Sequence, residues 1–175
     1  MSDILEELKA RRSIRKFKDE PVPKELVDKV VEAGLYAPSG MDTQTDIILR
    51  IEDPDTVRRL GLLNAKVMGR DSDAFYGAPV VLCVLGKRER AGGAEKEGAA
   101  MMENMLSEAS SLGLGSCWVT RGADQFKSEE GQQILRKAGI DPEVYFCVDN
   151  VILGWPEGEV HWTTPRKPNR VFSIG

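Results

Sequence analysis

Residues 79–85 read "PVVLCVL", a continuous apolar run bounded by Gly77 and Gly86. Apolar runs of this length that do not alternate with polar residues are typical of strands buried on both faces of a sheet. Segments with helical and strand-like patterns alternate on both sides of this run. The sequence therefore predicts an α+β fold in which residues 79–85 form a central strand.

The flanking segments carry the other expected elements. Further strands are predicted at residues 47–51, 116–119 and 144–153. Helices are predicted where apolar residues recur at helical spacing next to capping or breaker residues. They are a first helix with Ile4, Leu5 and Leu8 on one face and Ser2 as its N-cap, a second from Pro23 to about residue 37, a third that opens at Asp53-Pro54, a fourth over residues 94–112 and a fifth over residues 128–138.

Composition narrows the function classes. The 175 residues are expected to form one domain, 1–175, and 41% hydrophobic with 30% charged residues is ordinary for a soluble globular protein. A net charge of −4 argues against general nucleic-acid binding, which needs a broad basic surface. No apolar run approaches the ~20 residues that span a bilayer, and the acidic start "MSDILEELKA" is unlike a signal peptide. We therefore expect a cytoplasmic protein that binds neither nucleic acid nor membrane.

Cysteine and histidine content limits the chemistry further. Cys83, Cys117 and Cys147 are odd in number and far apart, so we expect them to be reduced and buried. His161 is the only histidine, which excludes His-rich zinc sites. Nucleophilic catalysis that uses a histidine would have to use His161. No metal site is predicted.

A methionine stripe marks the fourth helix. Met101, Met102 and Met105 repeat with Leu106 and Ala109 at helical spacing. Such a stripe packs into a core more often than it binds a ligand, and we interpret it as core.

A basic cluster, "KARRSIRKFK", occupies residues 9–18 of this acidic chain. Cations at a helix C-terminus complement the helix dipole, which explains one or two of these arginines. The cluster, however, continues through Ser13 into a segment expected to be extended. Because guanidinium groups bind phosphate bidentately and a serine hydroxyl adds a donor, Arg11, Ser13 and Arg15 are also candidates for a phosphate site. The residues alone leave both interpretations open.

No nucleotide-binding loop accompanies this cluster. Residues 113–115 begin a GxG, but Trp118 stands where the third glycine of a dinucleotide fingerprint belongs, and no GxxxxGK[ST] occurs. A bound phosphate would therefore be held by side chains. The loop "YAPSGMDTQTDIIL", residues 36–49, is either a polar turn or a hydrogen-bonding rim in which Gln44 both donates and accepts.

Six motifs in order resemble the nitroreductase family of flavin enzymes, which bind FMN at a homodimer interface. They are RRSIRKF at residues 11–17, APSGxxxQ at 37–44, the AP-VV strand start at 78–81, LGLGSCW at 112–118, LGWP at 153–156 and PRKP at 165–168. The resemblance covers almost the whole chain. It implies a three-layer α-β-α fold with a central, mostly antiparallel sheet, homodimeric, with an extended tail from about residue 155 that wraps the partner.

The resemblance also assigns cofactor-binding roles, with no side chain expected to be catalytic because the flavin carries the chemistry. Arg11, Ser13 and Arg15 match positions that hold the FMN phosphate and ribityl chain. The remaining matched residues are Arg12 near the flavin ring, Pro38, Ser39, Gly40 and Gln44 in the loop that reaches the other subunit's flavin, Trp118, Val119, Thr120 and Arg121 beside its reactive edge, and Arg166 with Lys167 in the tail.

Several residues depart from the family pattern. Asp42 stands where many relatives have asparagine, Thr45 and Asp46 replace a common proline and aromatic, and Thr164 replaces a lysine found in some relatives. A buried carboxylate at Asp42 or Asp46 would be unfavourable near an anionic reduced flavin.

The activity implied by the resemblance is a ping-pong hydride cycle. NADH or NADPH reduces FMN, and an electron-poor small molecule such as a nitroaromatic or quinone then accepts the electrons. Two other functions are compatible with the residues: a non-catalytic flavin-binding redox sensor or carrier, and a protein whose basic cluster pairs with an acidic partner. Family membership alone leaves the acceptor open.

Overall fold

The computed structural model describes residues 4–158 and 164–175, so Ser2 and His161 lie outside the described residues. Its sheet has four strands, each antiparallel to its neighbours, in the order β1-β2-β4-β3. The strands are β1 (Ile47–Ile51), β2 (Val80–Lys87), β3 (Gly115–Val119) and β4 (Tyr145–Gly154). The predicted α+β class with an antiparallel sheet is confirmed, and β2 is one of its two inner strands.

Strand β2 is buried on both faces, as the "PVVLCVL" run predicts. Val81, Cys83 and Leu85 lie in one core cluster, and the alternating residues Val80, Leu82 and Val84 lie in the other. Successive side chains of a strand point to opposite faces, so a strand covered on both sides has no polar face to present.

Helices cover both faces of this sheet. They are α1 (Ile4–Ala10), α2 (Lys24–Leu35), α3 (Pro54–Lys66), α4 (Ala91–Ser111), α5 (Gly122–Gln125) and α6 (Glu129–Lys137). α2 and α4 supply the core on one face, and α3 and α6 supply it on the other. The result is three layers, α-β-α.

Local capping explains where two helices begin. The Asp53 carboxylate accepts from the Thr56 N–H at 3.0 Å at the start of α3, and the Ser128 hydroxyl accepts from the Gly131 N–H at 3.0 Å at the start of α6. Each satisfies a backbone donor that the first helical turn leaves unpaired. Pro23, predicted in the first turn of α2, is instead the N-cap residue, since its ψ of 136° is extended.

The α4 methionines belong to the core, as predicted. Met101, Met102 and Met105 are buried against the sheet and α2. The three cysteines are likewise buried and free.

Exposed apolar side chains occur near both ends of the described chain. Ile4, Leu5 and Leu8 of α1 are exposed, although their spacing on one face predicts burial. In the C-terminal segment, Val171 and Phe172 are also exposed. Along residues 4–158 and 164–175, no helix combines the length and apolar character needed to cross a membrane.

Candidate cofactor site

The basic segment that follows α1 runs along the edge of the sheet. The Ile14 N–H donates to the Ser116 carbonyl at 2.8 Å, which joins the segment to β3. Farther along, the Lys18 N–H donates to the Trp155 carbonyl at 2.9 Å, and the Glu157 N–H donates to the Lys16 carbonyl at 3.0 Å. The segment predicted to be extended is therefore fixed at both its ends.

Alternating side chains of this segment converge near Cys117. Burial raises the pKa of the Cys117 thiol, and Arg15, a hydrogen bond with Ser13, and Arg11 all act against that rise. Residues two apart in an extended chain point to the same side, which places Ser13 and Arg15 together. Arg11 precedes them at the end of α1, where its N–H donates to the Glu7 carbonyl at 2.9 Å. The structure thus brings three of the predicted phosphate-binding residues to one thiol on β3.

The Arg11 guanidinium is ion-paired with Glu103 of α4 but makes no hydrogen bond through its Nε to the described residues. Its Nε is buried and has no hydrogen-bond partner among the described residues, and the Glu103 carboxylate lies 3.6 Å away. A guanidinium whose Nε has only a long ion pair, beside a serine hydroxyl and a second arginine, is a donor set suited to a phosphate.

Arg12 has a different role. Its Nη1 donates to the carbonyls of Lys9 and Arg11, both at 2.5 Å. These contacts satisfy carbonyls at the end of α1, so the helix-end interpretation of the basic cluster holds for this arginine.

The predicted loop contacts α4 rather than the basic segment. The Gly40 N–H donates to Glu97 Oε1 at 2.9 Å, and the Gln44 N–H donates to Ser39 Oγ at 3.1 Å. The Gln44 side chain is exposed and donates to Asp42 Oδ1 at 2.7 Å. Pro38 is also exposed.

An arginine that sequence reasoning missed anchors this loop. Arg90 donates to the hydroxyls of Thr43 and Thr45, the latter at 2.9 Å, and to Glu97 Oε1 at 3.2 Å. These contacts hold the loop although Met41 has a φ of 55°, a conformation that ordinary side chains disfavour.

The two acidic residues that depart from the family pattern, Asp42 and Asp46, lie in different environments. Asp42 is exposed, whereas Asp46 is buried, with 8% of its surface accessible. Burial, together with the nearby Glu97 carboxylate, raises the pKa of Asp46 to about 6, against the lowering effect of Arg90. Of the two, only Asp46 is a buried carboxylate.

Trp118 is held by Asp149, another residue that the sequence did not single out. Its indole N–H donates to Asp149 Oδ2 at 2.8 Å, and the Gly122 N–H donates to Asp149 Oδ1 at 3.2 Å. Burial raises the pKa of Asp149, against the lowering effect of the hydrogen bonds from Trp118, Gly122 and Arg121. Arg121 between them has a φ of 74°.

Three buried amide side chains hold the backbone of Val119 and Thr120 in place. Asn64 Nδ2 donates to the Thr120 carbonyl and to Gln125 Oε1, both at 2.8 Å. Gln125 Nε2 donates to Asn150 Oδ1 at 3.0 Å, and Asn150 Nδ2 donates to the Val119 carbonyl at 3.4 Å. A buried amide network of this kind fixes backbone positions because each unpaired member would be costly.

The remaining predicted residues, Arg166 and Lys167, lie in the C-terminal segment. Arg166 and Lys167 are exposed, and no ion pair within residues 4–158 and 164–175 involves either of them. Their convergence with Arg11 stays a prediction. No group of three or more His, Cys, Asp or Glu side chains suited to a metal occurs in the part of the chain that the structure describes.

Comparison with known proteins identifies a family. Residues 8–69 and 64–155 match the model described as the nitroreductase family. A candidate NADH dehydrogenase/NAD(P)H nitroreductase of Methanothermobacter thermautotrophicus is 28% identical over 155 residues, which is 88% of this chain and 78% of the relative. The FMN reductase (NAD(P)H) of Bacillus subtilis is 26% identical over 172 residues, 89% of this chain and 67% of the relative.

Solved structures agree with these matches. A candidate nitroreductase of Desulfovibrio desulfuricans in complex with FMN has a TM-score of 0.75 and 28% identity, covering 96% of this chain and 93% of its own. A nitroreductase of Bacteroides fragilis with bound FMN has a TM-score of 0.89 over the full length of both chains, at 24% identity, and this match concerns the fold.

Proposed function

The chain belongs to the nitroreductase family, and from that premise we propose that it is an FMN-dependent oxidoreductase. It uses NADH or NADPH to reduce electron-poor acceptors such as nitroaromatics or quinones. The observation that supports this most directly is the convergence of Arg11, Ser13 and Arg15 near Cys117. A relative and two solved structures of similar fold carry FMN in their names.

The residues present fit this cofactor. The buried Arg11 Nε makes no hydrogen bond to the described residues and has only a 3.6 Å ion pair with Glu103, so it can donate to a phosphate, and Ser13 and Arg15 add a hydroxyl and a second guanidinium. We assign these three residues to the phosphate and ribityl chain of FMN, and Arg12 to the vicinity of its ring. Arg166 and Lys167 are assigned to a second set of contacts with the phosphate. When bound, FMN supplies the hydride chemistry.

The segment from Trp118 to Arg121 is assigned to the edge of the flavin. Its backbone is held by Asp149 on one side and by the buried amides on the other. Val119 and Thr120 use their carbonyls for that support, and the Val119 side chain lies in the core. We therefore assign backbone N–H groups and the exposed Thr120 and Arg121 side chains to the cofactor. The task of the protein here is positioning and electrostatics, and it needs no strong side-chain base.

A homodimer completes the site in this proposal. Residues 1–175 form one domain, and the tail from about residue 155 packs on the partner. The exposed Val171, Phe172 and Ile174 of that tail and the exposed apolar face of α1 support it, because apolar patches of this kind mark interaction surfaces. The methionines of α4 face their own sheet, so only the outer side of that helix is available to a partner. The loop from Pro38 to Gln44 then reaches the other subunit's flavin.

We also place the protein in the cytoplasm, where the three free, buried cysteines stay reduced.

The test is an absorbance spectrum of the purified protein followed by anaerobic mixing with NADH and with NADPH. A flavin spectrum that bleaches promptly with either nucleotide supports the enzyme. A flavin spectrum that neither nucleotide bleaches favours the redox sensor or carrier. Absence of a chromophore, together with no rise of Tm when FMN is added, contradicts both flavin functions and favours a partner-binding protein.

A further inference from the structure

The chain turns sharply between β3 and α5, at residues 120–122, which we refer to as the Arg121 turn. Arg121 has a φ of 74° and a ψ of 21°, the left-handed conformation. Residues other than glycine disfavour this conformation because their Cβ atom crowds the backbone. It therefore persists at Arg121 only where neighbouring contacts impose it.

The Asp149 carboxylate supplies such contacts from β4. Its Oδ1 accepts from the Gly122 N–H at 3.2 Å, and the Arg121 N–H also donates to the carboxylate. Its Oδ2 accepts from the indole N–H of Trp118 at 2.8 Å. A carboxylate accepts on both oxygens at once, whereas an amide of the same shape has one acceptor oxygen. Asp149 thus ties two consecutive residues of the Arg121 turn to both β3 and β4.

Close packing fixes the Arg121 turn on both sides. A Cβ at Gly122 would lie 2.6 Å from Cys147 Sγ, so the backbone has no room to move toward β4. On the other flank, Asn64 Nδ2 donates to the Thr120 carbonyl at 2.8 Å. The side chains of Thr120 and Arg121 are exposed, and Arg121 Nη1 donates to Thr120 Oγ1 at 3.1 Å. With its backbone held in this way, the turn presents the Arg121 guanidinium outward.

We propose that Asp149 is a positioning residue of the cofactor site and that it acts through Arg121. This inference rests on the proposed function, which assigns residues 118–121 to the flavin edge. By holding Arg121 in the left-handed conformation, Asp149 keeps a guanidinium beside that edge. A cation there stabilises the negative charge that the flavin gains on reduction, and so raises the reduction potential.

A role in proton transfer fits Asp149 less well. Both oxygens of this half-buried carboxylate are directed at N–H donors of the protein, on Trp118 and Gly122. Burial raises the pKa of Asp149, whereas these hydrogen bonds and the Arg121 charge lower it. A general base needs an oxygen within hydrogen-bond reach of the proton that it removes. The geometry therefore assigns Asp149 to holding the turn.

Asp149→Asn separates the charge of this side chain from its effect on position. The asparagine has one acceptor oxygen, so it cannot serve both Trp118 and Gly122, and its NH2 group then faces an N–H donor. Removal of a negative charge alone raises the reduction potential of a nearby flavin, whereas movement of the Arg121 guanidinium away from the flavin lowers it. The two effects have opposite signs. We expect a net shift to a more negative potential.

The experiment measures the reduction potential of the FMN-loaded native protein, Asp149→Asn, Arg121→Gly and the double variant. Glycine adopts the left-handed conformation readily and has no guanidinium, so Arg121→Gly alone should lower the potential in a folded protein. In that background Asp149→Asn should cause no further negative shift. A missing negative shift in either single variant, or an equal negative shift by Asp149→Asn in both backgrounds, would overturn the proposal.

A matched control tests whether the effect is specific to the Arg121 turn. Asp124→Asn removes an exposed carboxylate of α5 that pairs with Lys127 at 2.7 Å. This variant should keep the native potential, because Asp149 still holds the turn. A negative shift as large as that of Asp149→Asn would contradict the proposal.

A rescue variant distinguishes positioning from a merely structural role. Trp118→Phe removes the indole N–H, so that in Asp149→Asn/Trp118→Phe the asparagine oxygen serves Gly122 alone. The potential should return to that of Trp118→Phe, although the Tm stays below that of the native protein. A double variant with the lowest potential of the series would indicate a structural role and overturn the proposal.

Amide hydrogen exchange in the cofactor-free protein tests the turn without a flavin. Asp149→Asn should accelerate exchange of the Arg121 and Gly122 amides roughly 10-fold. The Gly131 amide, which donates to Ser128 Oγ at the start of α6, should exchange at its native rate. Native exchange rates in Asp149→Asn overturn this inference alone. A native protein that takes up no FMN overturns the proposed function, and the role of Asp149 with it.

Discussion

The indole N–H of Trp118 donates to Oδ2 of Asp149 at 2.8 Å, across the pairing of β3 with β4. The second oxygen of the same carboxylate accepts the Gly122 N–H, one residue after the left-handed Arg121. A single carboxylate thus fixes both ends of the segment assigned to the flavin edge. A methyl group on Gly122 would lie 2.8 Å from the Asp149 Cα, which shows how closely the two elements approach.

Trp118→Phe should destabilise the fold by about 1–3 kcal/mol, because it leaves a half-buried carboxylate oxygen without its donor. Urea denaturation measures the change. Trp155→Phe is the matched control: its indole donates to the Pro21 carbonyl at 3.1 Å on the surface, so its loss should cost less, about 0.5–1.5 kcal/mol. Equal losses in the two variants would show that the Asp149 carboxylate gives Trp118 no special stability.

Arg11→Ala and Arg15→Ala should each weaken FMN binding by about 1.5–3 kcal/mol, roughly 10- to 150-fold in Kd, through loss of a charge-assisted hydrogen bond. Fluorescence titration with FMN gives the constants. Arg59→Ala, which removes an exposed pair with Glu130 on another helix, should bind FMN as the native protein does. An Arg15→Ala protein that purifies with a full complement of flavin would contradict the phosphate assignment.

Asp46→Asn should change stability in a pH-dependent way. Because the folded pKa of Asp46 is raised to about 6 from 3.8, ionising it costs folding energy above pH 6 and nothing below the unfolded value. The variant should therefore be more stable than the native protein at neutral pH by roughly 1–3 kcal/mol, with the difference disappearing between about pH 6 and about pH 4.

Chemical denaturation at several pH values measures this difference. Asp42→Asn, which changes an exposed carboxylate of the same loop, is the control and should show no comparable pH-dependent gain. A gain for Asp46→Asn that persists undiminished at pH 4 would contradict the assignment of the effect to Asp46 ionisation.

Gln125→Leu should destabilise the protein by about 2–4 kcal/mol, because Asn64 and Asn150 lose buried partners together. Gln133→Leu replaces an exposed glutamine on α6 and should change the free energy of unfolding by no more than about 0.5 kcal/mol. In the FMN-loaded protein, Gln125→Leu should also shift the flavin reduction potential, since the Val119 and Thr120 backbone loses its support. An unchanged potential would confine the amides to a structural role.

Removal of residues 170–175 should shift the protein from dimer to monomer, because it deletes the exposed apolar side chains Val171, Phe172 and Ile174. Light scattering across a concentration series measures the mass. Val67→Ser, which removes an exposed apolar side chain after α3, should leave the mass unchanged. A truncated chain that keeps the native mass would exclude the tail from the interface.

Local sequence patterns predicted the main strands and helices of the fold. The run at residues 79–85 predicted a strand covered on both faces, and the methionine stripe predicted the buried side of α4; both were confirmed. Asp53 marked the start of α3 correctly, since capping depends on residues three positions apart. α5 was missed because its four residues are too few to show periodicity.

The buried amide side chains that hold the candidate site in place could not be predicted from local patterns. The hydrogen-bonded pairs Gln125–Asn150 and Asn64–Gln125 are 25 and 61 positions apart, and only the packing of α3 and α5 on β4 joins them. One signal was available: Asp149 and Asn150 are polar residues inside an otherwise apolar strand, and a buried polar side chain requires a partner. Spacing alone does not say which partner.

The backbone contacts of the basic segment set an order of assembly. The Lys16 carbonyl accepts from Glu157, about 140 positions later in the chain, and Ile14 donates to Ser116. At about 5–20 residues per second, a ribosome takes roughly 7–28 seconds to traverse that interval. Until then the backbone of the segment that carries these arginines cannot form both of its contacts with the sheet. We therefore expect the nascent chain to acquire its cofactor only after residue 157 has been synthesised.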